Sequence, residues 1–299
     1  MKRSTIAVMN TKGGVGKSTL VLAVSETLTA LHGKSVLVID SDSQASISSM
    51  LMTPTRLHKL QTETATIVDL LAVTVLQRRP LDWQKYVVAG SSDVDDARSL
   101  YLIPSDMDLT LLEREISKES MHTALRATIK ALLDAVRDAF DVVLIDCPPG
   151  LSVLTECWLR EADFHISPTK PDYISVCGLE VFRRFKAQNP DMGFAENLGV
   201  VVNLMDPNGR QDRDYDNWLR ERAENRCFQA TILRSNAMQN ITQFSPEGRS
   251  WIGKYPGDVG RSIKSITEEI LERMKASAPT NALPADVAPA INSVGASNA

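Results

Sequence analysis

A glycine-rich segment near the N-terminus limits the possible folds of this chain more than any other feature. Residues 10–19 read Asn-Thr-Lys-Gly-Gly-Val-Gly-Lys-Ser-Thr. They follow a short apolar run at residues 6–9 that predicts a strand, and they open a helical pattern of apolar residues from Leu20 to Leu31. The backbone N–H groups of such a loop and the start of the helix attract anions, and glycine lets the backbone approach phosphates closely. The order of strand, loop and helix therefore predicts a nucleoside triphosphate site.

The two lysines of this loop have different expected uses. Lys17 is placed to reach the β- and γ-phosphates, and the hydroxyl of Ser18 is placed to ligate Mg²⁺. The strict phosphate-loop pattern has a glycine where this chain has Thr11, and it does not require Lys12. A glycine-rich turn without a ligand is the alternative, and the flanking strand and helix favour the nucleotide site over it.

Two further apolar runs end in aspartates. Asp40 ends one predicted strand and is followed by Asp42, whereas Asp146 ends another in the Walker B arrangement, placed to hold Mg²⁺ mostly through its water shell. Because ligands of open α/β sheets bind at the carboxyl ends of the strands, all three should face the phosphate loop. The alternative for Asp40 and Asp42 is that they only cap the next helix. The Pro-Pro-Gly at residues 148–150 predicts either a loop switched by the γ-phosphate or a simple turn.

Predicted strands alternate with predicted helices along most of the chain. The pattern places strands at residues 6–9, 35–39, 100–103, 141–145, 164–167 and 199–205, and helices at 66–76, 108–116 and 121–139. This alternation predicts an α/β fold: a doubly wound, predominantly parallel sheet with helices on both faces. We expect residues 1–275 to form a single phosphate-loop domain, and the Ala/Pro/Ser/Asn-rich residues 276–299 to form a disordered C-terminal tail.

Composition and charge argue against several classes of protein. No apolar run approaches the ~20 residues that a transmembrane helix needs, and the first strand begins too early to leave room for a signal peptide. The four cysteines have no C-x-x-C spacing and no nearby histidine, so we expect reduced thiols in a cytosolic protein. With a net charge of -4, any DNA contact would have to come from a local basic patch.

Several motifs together resemble one family of ATPases. The Lys-Gly-Gly-Val-Gly-Lys-Ser of residues 12–18 resembles the deviant Walker A box of the ParA/MinD superfamily of dimeric ATPases. Residues 40–44 look like its D-x-D-x-Q motif, residues 102–109 like its central strand and loop, and residues 142–150 like its switch segment. The similarity spans most of residues 4–265 and is greatest to the ParA branch. Ser43 departs from the family pattern, where proline is common.

The resemblance implies a role for each matching residue. Three would be catalytic: Lys12 would cross a dimer interface to the partner's ATP, Lys17 would hold the phosphates, and Asp42 would orient the attacking water. Mg²⁺ would be held by Ser18, Asp42 and Asp146. Asn203 lies where the family often contacts adenine, although a loop-capping role is an equal alternative. The implied ATP contacts are Lys12, Gly13, Gly14, Val15, Gly16, Lys17, Ser18, Thr19 and Asn203.

Members of the ParA branch bind DNA non-specifically as ATP-bound dimers, through a C-terminal basic surface. In this chain residues 234–264 carry five basic and two acidic side chains, a net +3, and a second basic cluster lies on a predicted helix at residues 183–186. A solvated charged surface is the alternative for such clusters. The candidate DNA contacts are Arg183, Arg184, Arg234, Arg249, Lys254, Arg261 and Lys264.

The function implied by the resemblance is that of a slow ATPase switch in the bacterial cytoplasm, associated with the nucleoid. ATP and Mg²⁺ would close a homodimer that binds non-specific DNA and positions or segregates a cargo: a plasmid, a chromosome or a protein assembly. A ParB-like or other adaptor protein would stimulate hydrolysis and release the dimer. The main alternative is a MinD-like ATPase at a membrane surface. An electron donor resembling the nitrogenase iron protein and a small-molecule kinase or synthetase are further alternatives.

Overall fold

The computed structural model describes residues 3–277, and these contain one seven-stranded sheet. Across the sheet the strands follow the order β3-β4-β2-β5-β1-β6-β7, and all pairs are parallel except β3 with β4. The predicted doubly wound, predominantly parallel α/β sheet is therefore confirmed. In chain order the strands are β1 (Ser4–Val8), β2 (Val36–Asp40), β3 (Val88–Ala89), β4 (Leu100–Ile103), β5 (Val142–Asp146), β6 (Phe164–Thr169) and β7 (Glu196–Val202).

Helices cover both faces of the sheet because alternate residues of the central strands point in opposite directions and are apolar on both sides. In β1, Ile6 and Val8 join the apolar cluster formed with α1 and α12, whereas Ala7 joins the cluster formed with α6 and α7. The helices are α1 (Lys17–His32), α2 (Ser46–Leu51), α3 (Pro54–Thr62), α4 (Ile67–Leu71), α5 (Leu109–Ile116), α6 (Glu119–Ala139), α7 (Val153–Glu161), α8 (Tyr173–Gln188), α9 (Arg210–Arg220), α10 (Asn236–Asn240), α11 (Trp251–Lys254) and α12 (Gly257–Ala276).

Three local predictions differ from the structure. The helix predicted at residues 66–76 is α4 followed by a π-helical segment, Ala72–Leu76. The strand predicted at residues 199–205 starts earlier and ends at Val202, because Leu204 adopts a left-handed φ of 56°. The two-residue strand β3 lies in a stretch without a regular pattern and was not predicted. In the described part of the chain no helix is long and apolar enough to cross a membrane.

The C-terminal helix α12 ends at Ala276, one residue beyond the boundary expected for the folded domain. Of the tail predicted for residues 276–299, positions 278–299 lie outside the described residues. The division into one domain and a disordered tail therefore stays a prediction.

Candidate nucleotide-binding site

The phosphate loop connects β1 to α1 at the carboxyl edge of the sheet, as predicted. Gly14 and Gly16 adopt left-handed φ angles of 72° and 86°, which glycine tolerates best, and Gly16 forms the N-cap of α1. A Cβ on Gly16 would lie only 2.3 Å from Nδ2 of Asn203. A glycine is therefore required at position 16 by both backbone angle and close approach.

Asn203 contacts the backbone of the phosphate loop. It directly follows β7 and is 1% exposed, and its Nδ2 donates a hydrogen bond to the carbonyl oxygen of Val15 at 2.8 Å. Its Oδ1 accepts from the backbone N–H of Leu204 at 3.0 Å. In this arrangement the amide contacts the loop backbone, so the adenine contact expected for Asn203 stays a prediction.

Two buried aspartates lie side by side at the ends of neighbouring strands. Asp40 of β2 and Asp146 of β5 are paired in register, and both are fully buried. The Asp40 carboxylate accepts hydrogen bonds from the backbone N–H of Asp42 at 3.1 Å and from the hydroxyl of Ser48 at 2.6 Å. Burial raises the pKa of Asp40 to about 7 despite these bonds. Asp40 therefore orders the loop that carries Asp42.

Asp146 has the chemistry of a metal-binding carboxylate. Burial, followed by the charge of Asp40, raises its pKa well above the usual range, while Ser18 and Lys17 act in the opposite direction. Within residues 3–277 neither carboxylate oxygen of Asp146 has a donor in good hydrogen-bond geometry, although the Ser18 hydroxyl is near enough to lower its pKa. A buried carboxylate without a partner is costly, and a divalent cation beside the Ser18 hydroxyl would compensate it. The residues present therefore fit Mg²⁺.

Lys17 lies close to these carboxylates. It is 6% exposed, and burial lowers its pKa, whereas Asp146 and Asp42 act to raise it. The carboxylates thus help a buried ammonium to keep its charge at the point where a triphosphate would end.

A cavity of about 520 Å³ opens over the phosphate loop. Loop residues from Gly13 to Thr19, except Val15, line one side, and Asp42 with its neighbours lines another. Pro148 and Pro149 complete the wall. The structure thus brings together the loop, Asp42 and the two prolines around a space suited to a nucleotide, whereas a switch at these prolines stays a prediction.

Glu113 of α5 also lines this cavity, although no sequence motif indicated it. It accepts a hydrogen bond from the hydroxyl of Ser152 at 3.0 Å. Burial, opposed by that bond, raises its pKa. A single glutamate on an amphipathic helix looks like a solvent-facing residue in the sequence, so only the packing of α5 shows its position.

Lys12 does not line the cavity of its own chain. Its Nζ lies 3.1 Å from Oδ1 and 3.2 Å from Oδ2 of Asp172, the N-cap residue of α8. Asp172 also accepts the backbone N–H of Ser175 at 2.8 Å. Burial would raise the pKa of Asp172, but the bonds from Ser175 and Lys12 outweigh it and lower that pKa. Lys12 is therefore held against α8 in this structure.

Helix α8 packs closely on the start of the phosphate loop. A Cβ on Gly178 would lie 2.5 Å from Oγ1 of Thr11 and 3.1 Å from Oδ1 of Asn10. Asn10 is itself anchored, because its Nδ2 donates to the carbonyl oxygen of Pro168 at 2.9 Å. Thr11 replaces a glycine of the strict loop pattern, and Gly178 of α8 leaves room for its side chain.

The predicted DNA contact at Lys254 is wrong. Its side chain is fully buried and forms ion pairs with Glu26 at 2.8 Å and with Asp93 at 2.5 Å. The hydroxyl of Tyr255 donates to the other oxygen of Glu26. A lysine neutralised in this way connects α1 to α11 and is not accessible to a phosphate backbone.

The other basic candidates divide into two groups. Arg249 is paired with Asp93 at 2.8 Å, and Arg183 is paired with Glu180 of its own helix at 2.8 Å; both arginines are partly exposed, and their DNA contacts stay predictions. Arg184, Arg234, Arg261 and Lys264 are exposed, and their DNA contacts stay predictions as well.

The parallel sheet, the glycine loop and the aspartates at neighbouring strand ends define a P-loop nucleotide-binding protein. A family model described as an AAA domain matches residues 3–191. A ParA family protein of Chlamydia pneumoniae is 30% identical over 244 residues, which cover 80% of this chain and 84% of that protein. The chain belongs to the ParA family of P-loop ATPases.

A second relative agrees with this family, and two solved structures share the fold. The chromosome-partitioning ATPase Soj of Treponema pallidum is 32% identical over 207 residues, covering 67% of this chain and 71% of that protein. The structure of apo McdA from Cyanothece has a TM-score of 0.70 at 20% identity, covering 91% of this chain and 99% of that one. Cobyrinic acid a,c-diamide synthase of Mycobacterium smegmatis, with bound ADP and magnesium, has a TM-score of 0.70 at 23% identity, covering 91% and 96%. The two structures support the fold alone.

Proposed function

We propose that this protein is an ATP-driven dimerisation switch that positions or segregates a cargo on DNA. The observation that carries the proposal is the arrangement of the two loop lysines. Lys17 lies inside the nucleotide cavity, whereas Lys12 lies outside it on Asp172. A second lysine that does not serve its own site is available to complete the site of another subunit.

The roles of the residues in the cavity follow from their positions. The backbone of residues 13–19 and the Lys17 ammonium bind the ATP phosphates, and Ser18 with Asp146 holds Mg²⁺, which neutralises phosphate charge when bound. Asp42 is the carboxylate that orients the attacking water; its Oδ1 already accepts the backbone N–H of Gln44 at 2.9 Å, which fixes its direction. Hydrolysis is slow because Lys12 is missing from this set until a partner supplies it.

Dimerisation places the Lys12 of each subunit at the phosphates of the other. Its positive charge compensates the charge that develops on the transferred phosphoryl group, as an arginine finger does. Exposed apolar side chains beside the cavity agree with a protein surface that becomes covered. Met107 and Leu111 are 73% and 66% exposed near α5, and Tyr173 and Ile174 are 64% and 63% exposed at the start of α8.

DNA binding belongs to the ATP-bound dimer and uses the exposed basic residues. A dimer doubles the number of such side chains, so its affinity for the phosphate backbone exceeds that of a monomer and falls with salt. The name of the Treponema pallidum relative, a chromosome-partitioning ATPase, supports a partitioning role. In this proposal the protein acts in the cytoplasm on the nucleoid, with a ParB-like or other adaptor that stimulates hydrolysis.

Retention on DNA in different nucleotide states tests the proposal. Wild type should bind salt-sensitively with ATP and weakly with ADP or without nucleotide. Lys12→Ala should lose the ATP-dependent binding but keep ATP affinity, and Lys17→Gln should lose both. Lys59→Ala is the matched control, because that lysine is 70% exposed on α3 and far from any proposed role. Equal binding of wild type in every nucleotide state would refute the switch.

A further inference from the structure

We propose that a cavity beneath α8 is a second binding site, which takes a small carboxylate with an apolar body. The cavity measures about 410 Å³ and lies between α8 and the strands β6 and β7. His165 and Asn197, near the amino ends of those strands, line it. The phosphate loop follows the carboxyl end of β1, so the two sites lie at opposite edges of the sheet.

The walls of this cavity are those of a ligand site. Leu179, Phe182 and Val200 supply apolar surface, and a few polar side chains converge on it. A volume of this size with mainly apolar walls and several polar groups is typical of sites for small organic molecules.

Lys186 is the feature that indicates an anionic ligand. Its Nζ lies 3.1 Å from Nε2 of His165 and 3.4 Å from the carbonyl oxygen of Ala195. Both are neutral acceptors, and within residues 3–277 Lys186 has no ion pair with a carboxylate. Burial lowers the pKa of Lys186, the direction expected for an ammonium without a counter-charge. A ligand carboxylate would supply that charge.

The other titratable groups around the cavity do not compensate the positive charge of Lys186. Arg183 and Glu224 both line the cavity, and Arg183 pairs with Glu224 at 3.4 Å and with Glu180 of its own helix at 2.8 Å, so its charge is compensated. Burial, followed by Lys186, lowers the pKa of His165 to about 3, so the ring stays neutral at physiological pH. Its Nδ1 is buried and has no partner in the described part of the chain. Among the described residues Lys186 is therefore the cation of the cavity wall that has no carboxylate partner.

A monocarboxylate fits this charge better than a phosphate does. A phosphate dianion needs several converging donors, whereas this cavity offers one free ammonium and has the carboxylate of Glu224 in its wall. The apolar surface of Leu179 and Phe182 would contact the body of the ligand. Of the three cations at residues 183–186, Arg184 is exposed, whereas Arg183 and Lys186 are half-buried and line the cavity.

The test uses 2-naphthoate as the probe and 2-naphthamide as its uncharged match, with affinities from calorimetry and contacts from saturation-transfer NMR on the full chain. Naphthoate should bind wild type more tightly than naphthamide does. Lys186→Met should weaken naphthoate binding by about tenfold, because one charge-assisted hydrogen bond is lost, and should leave naphthamide unaffected. Arg184→Met is the matched control on the same helix and should bind naphthoate like wild type.

Two further variants keep the result decisive. Ala187→Trp should narrow the mouth of the cavity, where Ala187 is exposed, and weaken binding of both probes, whereas Lys17→Gln should bind naphthoate normally, because the nucleotide site is separate. The melting temperature of each variant reports that it is folded. Naphthoate binding that is unchanged in both Lys186→Met and Ala187→Trp would overturn the proposal. So would the absence of naphthoate binding to wild type at about 1 mM, the weak end of specific affinity.

Discussion

Replacing Asp172 with Asn should strengthen the ATP-dependent dimer. Asp172 holds Lys12 through an ion pair at 3.1 Å, and the two side chains are 33% and 27% exposed. A pair of this exposure contributes about 0.5–1 kcal/mol, and a dimer that uses both lysines must break two of them. Removing the charge should therefore favour dimerisation by about 1–2 kcal/mol, which lowers the dimer Kd by about 5- to 30-fold.

Asparagine at position 172 removes the ion pair with Lys12 but keeps the helix cap. Asp172 also accepts the backbone N–H of Ser175, and Asn caps a helix as well as Asp does, so Asp172→Asn should keep α8 intact. Sedimentation analysis with a non-hydrolysable ATP analogue measures the Kd. The same substitution in a Lys12→Ala background should have no effect on the dimer. A dimer Kd that is unchanged or higher in Asp172→Asn, with Lys12 present, would refute the inference that the ion pair with Asp172 keeps Lys12 from the partner's site.

Three further predictions concern packing, the buried ion network and pH. Gly178→Ala should push α8 away from Thr11, whose Oγ1 would lie 2.5 Å from the new Cβ, and calorimetry should show weakened ATP binding in a folded protein. Lys254→Met should lower the free energy of unfolding by about 3–5 kcal/mol in a denaturant titration, because it leaves the buried carboxylate of Glu26 without a cation and removes one of the two cations that pair with Asp93. The exposed control Arg261→Ala should leave stability within about 0.5 kcal/mol and weaken DNA retention instead. His165 has a folded pKa of about 3, below its unfolded value, so its neutral form stabilises the fold above the unfolded pKa and this stabilisation is lost as pH falls. From pH 7.5 to 5.5 wild type should lose about 1.4 kcal/mol more stability than His165→Gln, and an equal loss in both would contradict the buried neutral ring.

The phosphate loop and its aspartates could be predicted because their chemistry is local. Seven constrained positions between a strand and a helix specify the loop, and an apolar strand that ends in aspartate specifies Asp146. The alternation of apolar runs likewise predicted the sheet, since strands covered on both faces must be apolar throughout. These features depend on neighbours a few residues away.

The contacts that position the site could not be predicted, because they join residues far apart in the chain. Asp172 meets Lys12, Gly178 meets Thr11, and Asn203 meets Val15 across more than 150 residues each. No local pattern marks such pairs without a second sequence for comparison.

The sequence also does not show which charged side chains are buried. Lys254 and Arg261 look alike in a basic segment, yet Lys254 is fully buried against Glu26 of α1 while Arg261 is 75% exposed. The packing of α11 and α12 on α1 decides which cation is available to DNA. Net charge along the segment therefore overestimated the basic surface.

A complementation assay determines whether Lys12 acts in the partner's site. Lys12→Ala retains Asp42 but lacks the lysine, and Asp42→Ala retains Lys12 but lacks the carboxylate, so each protein alone should hydrolyse ATP poorly. In a mixed dimer the nucleotide on the Lys12→Ala subunit meets both its own Asp42 and the partner's lysine. Single-turnover hydrolysis by the mixture should exceed the sum of the rates of the two separate proteins. A mixture that equals this sum, with mixed dimers present by sedimentation, would contradict it.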